Sequence, residues 1–175
     1  MYSIDLKSIM QRTVSSGLGD LVTRPTGRAV RDGIERALSE RDAGQGAVID
    51  FSAVRCLDIS CADEIVGTLL RTYGQACYFL LRGVTDAHCD AISLVLERHG
   101  LTVVAEDREG RLQLLGPVRD TVRRAFRTLT EQGRGVAEVA ARFSVSADRA
   151  GEVLDELLAH PLSEPEADEY RIFPA

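Results

Sequence analysis

What the chain lacks narrows its role before any motif is considered. No apolar run approaches the roughly 18–20 residues that a membrane span requires, which excludes a transmembrane helix. The opening MYSIDLKSIM alternates apolar and polar residues around an Asp, unlike a signal peptide, and a cytosolic address is the expectation that remains. An excess of positive charge is missing too. With 27 acids against 21 bases the net charge is −6, which argues against gripping nucleic acid over the whole surface but leaves room for a local basic patch. Lys7 is the only lysine, a bias that carries no functional weight. The four cysteines, Cys56, Cys61, Cys77 and Cys89, form no C-x-x-C pair, and in a reducing compartment no disulfide is expected. Cys77, inside ACYFLL, reads as a small buried hydrophobe. A zinc set of Cys56, Cys61, His88 and Cys89 can be drawn, but its spacing matches no common finger or ribbon, so neither metal nor cofactor is expected. Catalytic signatures are absent as well: there is no GxxxxGK[ST], GxSxG or HExxH. Gly17-Leu18-Gly19 lacks the third glycine of a dinucleotide site. His88, His99 and His160 have no partnered nucleophile, and adjacent His88 and Cys89 do not face each other on a helix. The chain does not read as an enzyme.

What is present is an ordinary globular composition, 45% apolar and 27% charged, over 175 residues. Tyr2, Ile4 and Leu6 alternate as in a strand. The stretch TRPTGRAVRDGIERALSE has Thr23 or Thr26 as cap, Pro25 in the first turn, and Val30, Ile34 and Leu38 at spacing four; it predicts an amphipathic helix. AVIDF predicts a strand and SCADEIVGTLLRTYG a helix ended by Gly74. ACYFLL predicts a strand buried on both faces, 86–99 a helix stopped by Gly100, and LTVVAE-DREG-RLQLLG a hairpin. This alternation of strand and helix marks an α/β sheet with helices packed on it, ended by Gly116-Pro117.

The segment VIDFSAVRCLDISCADEIVGTLL resembles the core of STAS domains, the fold of bacterial anti-sigma-factor antagonists. The matching positions are a strand-end Asp50, a second acid Asp58, and Ser60 opening a helix. The sequence is closer still to bacterial STAS-like domains of unknown function, which couple an Arg-containing helix (here TRPTGRAVRDGI) to a Ser-x-Ala-Asp-Glu helix start. The resemblance spans about 1–116. It departs from the usual Asp-Ser-Ser-Gly by having Ile59 for the first serine and Cys61 for the glycine. It implies a non-enzymatic bacterial regulator acting by protein–protein contact, with Ser60 as candidate phosphoacceptor and Asp58, Ser60, Asp63 and Glu64 as the partner-docking residues. The implied partner is a kinase-like anti-sigma factor or another signalling ATPase. On chemistry alone, a serine at a helix start stands near unpaired N–H groups, and a phosphate there adds about −1.5 to −2 charges to the surface. Ser60 with Asp63 three residues on also resembles a capping box, so a plain helix cap is the competing reading.

From 117 to 175 the pattern turns helical. AEVAARFSVSADRAGEVLDELL resembles the helix-turn-helix of winged-helix regulators, with EYRIF as a candidate wing and an acidic tail. This predicts a small, mainly α second domain. Residues 118–134 carry five Arg against two acids; 135–175 carry three Arg against nine acids. The would-be recognition helix holds Asp148, Glu152, Asp155 and Glu156, which opposes approach to phosphates. Arg119, Arg123 and Arg127, at spacing four, make a candidate basic face for an acidic partner or a nucleic-acid backbone; pairing with the acidic tail is the plainer reading. Two alternatives stay open: a DNA-binding regulator with the first domain as sensor or dimeriser, and a small-molecule-binding signalling module. A homo-oligomer is also left open.

Overall fold

The computed structural model describes residues 1–13, 19–41, 45–74 and 76–131. The proposed helix-turn-helix, wing and acidic tail lie outside the described residues. Strand β1 (Tyr2–Asp5) leads into helix α1 (Leu6–Thr13), then a short strand β2 (Asp20–Leu21) and helix α2 (Arg24–Ser39). There follow β3 (Ala47–Asp50), β4 (Cys56–Leu57), α3 (Ile59–Ala62), a π-helical turn (Asp63–Gly67) and α4 (Thr68–Tyr73). The remainder is β5 (Phe79–Val84), α5 (Asp86–His99), β6 (Val103–Asp107), β7 (Leu112–Leu115) and α6 (Asp120–Glu131).

The main sheet has the order β1-β3-β5-β6-β7, parallel except for the β6–β7 hairpin. Each parallel crossover steps in the same direction. Because such crossovers are right-handed, α2, α3–α4 and α5 all fall on one face. There they cover Ile4, Ile49, Leu81 and Ala105, one continuous row of the register. The opposite face carries the row Val48, Leu80, Val104 and Leu114, also buried, and α6 brings its own buried Val122 and Phe126 against β7. Of ACYFLL only Phe79, Leu80 and Leu81 lie in β5, which is buried from both sides there and runs on through Val84; Ala76, Cys77 and Tyr78 precede the strand, later than the sequence predicts.

Local chemistry sets the helix ends. Thr23 caps α2 with Pro25 in its first turn, and Gly100 ends α5 in the left-handed conformation, φ 63°. Two further elements differ from the sequence expectation. Leu6, read as the third apolar residue of an alternating strand, opens α1, whose Leu6, Ile9 and Met10 are buried. β2 and β4 form a separate two-stranded sheet, fastened by a two-point Arg55–Asp20 ion pair at 3.0 and 2.6 Å.

His88 lies inside the core, 1% exposed, its ring tilted against Phe51 with centroids 6.1 Å apart. The Thr85 N–H donates to His88 Nδ1, which places the ring proton on Nε2. A second proton would have to sit on Nδ1, against that N–H. Burial, with the nearby Arg108 charge, holds the imidazole pKa below its ordinary 6.5. The neutral form is therefore the folded form. The unfolded chain takes up a proton below about pH 6.5 while the folded one does not, so this contribution is present above that pH and fades as pH falls. Urea unfolding at pH 7.5 and 5.5 should show this acid sensitivity, and His88→Gln should reduce it; a slope untouched by the substitution contradicts the assignment.

Candidate functional site

The two sequence segments that carry the resemblance meet in space. Gly19, at φ 74°, lets its loop approach Ala53, whose carbonyl lies 2.7 Å from where a Cβ would stand. The β2–β4 pairing then brings Leu21 beside Asp58, whose N–H donates to the Leu21 carbonyl at 2.9 Å. The helix start is thus pinned from outside the helix.

Asp58, not Ser60, caps that helix. Its Oδ1 accepts the Cys61 N–H at 2.7 Å and the Ser60 hydroxyl at 2.9 Å. Partial burial alone would raise the Asp58 pKa; these two donors hold it below the ordinary carboxylate range. Ser60 stands two residues into the first turn, and the expected capping box with Asp63 does not form, because Asp63 is engaged elsewhere. A carboxylate is the better acceptor for an N–H at the positive end of a helix, which favours Asp58 over a hydroxyl. Asp50, the other acid of the motif, accepts the Ser52 N–H at 2.8 Å and shapes the loop after β3.

Asp63 and Glu64, expected among the partner-docking residues, do not form a solvent-facing acidic surface; both are engaged within the fold. Glu64 is 5% exposed and is held by three arginines of one α2 face: Arg24 at 2.8 Å, Arg28 at 3.6 Å, and Arg31. Asp63 accepts both terminal nitrogens of Arg24 at 3.1 Å and pairs with His99 Nε2 of α5 at 2.8 Å. Burial opposes ionisation of Asp63, yet His99 and Arg24 outweigh it and keep its pKa low. The π-helical turn begins at these two acids, with the Thr68 N–H reaching the Asp63 carbonyl. Such turns are rare interruptions of α-helices and frequently accompany functional sites. Here it lets consecutive acids serve α2 and α5 together. Gly27 and Gly67 permit the close approach: a Cβ on Gly27 would lie 2.8 Å from the Cys61 Cα, and one on Gly67 2.7 Å from a Val95 methyl.

With the acids drawn inward, the helix start presents apolar side chains to solvent. Ile59 is 50% exposed and Val22 48%, two of the three exposed large hydrophobics among the described residues. Their chain segments run side by side, since Leu21 and Thr23 bracket Val22 and accept from the Asp58 N–H and the Cys61 Sγ (3.0 Å). Ser60, half-buried, follows Ile59 and donates its hydroxyl to Asp58. Sequence reasoning missed the arginines as partners of Glu64, although Arg24, Arg28 and Arg31 share the i, i+4, i+7 spacing that signals one helix face.

Other candidate residues stand apart. Arg119 and Arg127 are exposed, but Arg123 turns its guanidinium onto backbone carbonyls of Leu114 and Gly116, so the three do not form one free row. Cys56 is exposed while Cys61 and Cys89 are buried, and among the described residues no three His, Cys, Asp or Glu side chains gather as metal ligands. No helix among them is long and apolar enough to cross a membrane. No protein-family model matches the chain, and no curated protein or solved structure matches it either.

Proposed function

We propose that the chain is a non-enzymatic regulatory protein of the cytoplasm, a STAS-like domain joined to a winged-helix-like module, that works by docking a partner protein at the Ile59–Ser60 helix start. The partner class is a kinase-like anti-sigma factor or another signalling ATPase, and Ser60 is the switch. The observation that carries this reading is the exposed apolar pair Val22 and Ile59 beside a hydroxyl on a rigidly capped helix start. Thiol chemistry has little support: burial pushes the Cys61 thiol up to about 12 and the Cys89 thiol up to about 11, so neither offers a thiolate.

The switch has a physical basis in the hydrogen bond from Ser60 to Asp58. Esterifying that oxygen removes the donor and sets about two negative charges against the capping carboxylate. Helix N–H groups offset part of this, but the start of α3 and the apolar pair beside it must adjust. The test is quantitative capture from the native cell using tagged wild type, Ser60→Ala and Ser60→Asp. The expected result is that Ser60→Ala keeps its partner while Ser60→Asp loses most of it, with both variants still unfolding cooperatively in urea. Equal capture by all three overturns the switch.

A further inference from the structure

Three arginines of α2 gather on Glu64, and one of them can leave without stranding an acid. Arg31 is 18% exposed by side chain and also holds Asp32 and Glu35. Arg28 reaches Glu64 only at 3.6 Å. Arg24 gives both terminal nitrogens to Asp63 at 3.1 Å and one of them to Glu64 at 2.8 Å, yet its side chain is 47% exposed. Its Nε–H makes no hydrogen bond among the described residues. When Arg24 turns away, Glu64 keeps Arg28 and Arg31, and Asp63 keeps His99. Arg24 is the exchangeable member of the cluster.

Asp63 and Glu64 follow Ser60 by three and four residues, the spacing at which side chains on a helix adjoin. Helical side chains lean toward the N-terminus, so a guanidinium held by those two carboxylates lies toward the turn that carries Ser60. The start of α2 is fixed against the same turn: the Thr23 carbonyl accepts the Cys61 Sγ–H at 3.0 Å, and Gly27 packs on the Cys61 Cα. A phosphate on Ser60 meets the carboxylates of Asp58, Asp63 and Glu64, and it needs a cation. With its double charge and three acceptor oxygens it outcompetes a single carboxylate for a guanidinium fork.

We infer that Arg24 is the receptor for a phosphate on Ser60, moving from Asp63 and Glu64 onto the phosphate oxygens; this rests on the Ser60 switch proposed above. The phosphate comes from a nucleoside triphosphate. The bond from Ser60 Oγ to the γ-phosphorus forms as the bond from that phosphorus to the β-bridging oxygen breaks, and the nucleoside diphosphate leaves. The hydroxyl proton passes to its hydrogen-bond acceptor, Asp58 Oδ1, and on to water. Arg24 lies two residues from the exposed Val22, so its move changes the charge of the surface that a partner covers.

The test installs phosphoserine at position 60 of the full chain during synthesis and follows the phosphate by phosphorus NMR as pH is varied. An ordinary phosphoserine takes its second proton near about pH 6. Arg24→Gln is expected to raise the midpoint by about one pH unit, a roughly tenfold weaker hold on the dianion, and Arg24→Lys to raise it less. Arg36→Gln, which removes the same charge about 18 Å along α2, should leave it in place. An unchanged midpoint in Arg24→Gln, or an equal rise in Arg36→Gln, overturns the assignment. The Arg24 Nε–H resonance gives a readout that needs no substitution: it should shift when the wild-type chain carries the phosphate, and an unmoved resonance overturns the assignment too. Because the phosphate is placed during synthesis, failure here is distinct from failure of the switch, which partner capture by the Ser60 variants reports.

Discussion

Replacing Glu64 by alanine is expected to cost the fold about 3–5 kcal/mol, because it leaves arginines assembled around a carboxylate that is no longer there. The size follows from burial. Glu64 is 5% exposed and Arg31 only 18% by side chain, so their attraction is little screened and Arg31 has no easy route to water. Arg31 retains Asp32 and Glu35, which keeps the loss within that range. Arg28 gives the contrast from the same cluster: it is 60% exposed and 3.6 Å from Glu64, so Arg28→Ala should cost less than about 1 kcal/mol. Glu64→Gln, which keeps the shape and one carbonyl oxygen, should fall between the two. Urea unfolding of the three variants checks the order. A Glu64→Ala loss no larger than that of Arg28→Ala means the network does not hold the helices together.

Gly27→Val is the second large effect, at about 2–3 kcal/mol. Two effects compete at this position. Replacing a helical glycine with a residue bearing a Cβ normally gains up to about 1 kcal/mol through propensity, most for Ala and less for Val. At this position the Cβ would stand 2.8 Å from the Cys61 Cα, a backbone atom of α3 fixed by the Asp58 cap and the Leu21 carbonyl. The overlap outweighs the propensity, so Gly27→Ala should already destabilise, and Val should do so further by moving α2 off α3. That movement also draws Arg24 and Arg28 from Glu64, which makes Gly27→Val and Glu64→Ala less than additive when combined. Additive losses contradict the coupling.

Helices with local signals were legible in the sequence. Thr23, Pro25 and Gly100 announce their ends through short-range chemistry, and Val30, Ile34 and Leu38 define a stripe that is buried as the spacing predicts. The sheet was legible for the same reason, since runs such as AVIDF and ACYFLL are mainly apolar, β-branched or aromatic. α1 was lost because Leu6 fits both a period-two strand and a helix starting at Leu6, Ile9 and Met10. The β2–β4 sheet pairs positions more than thirty residues apart with two residues a side, too little for any local pattern. At the site the residues were legible but their roles were not. Asp63 and Glu64 look like surface acids until α2 is placed beside them, and only that placement turns them inward. Ser60 and Asp58 are both good cap residues, and the choice between them rests on which oxygen the Cys61 N–H can reach.

The central claim is that a partner docks at the Ile59–Ser60 helix start, and site-specific photo-crosslinking in the native cell tests it most directly. A benzophenone side chain is placed at position 59 in one variant and at position 94 in another. Leu94, 53% exposed on α5, is the matched control, as apolar and as exposed as Ile59 but on another helix. The account predicts a protein adduct from position 59, little or none from position 94, and loss of the adduct when Ser60→Asp is added. An adduct from position 94 alone, or one from position 59 that survives Ser60→Asp undiminished, contradicts it.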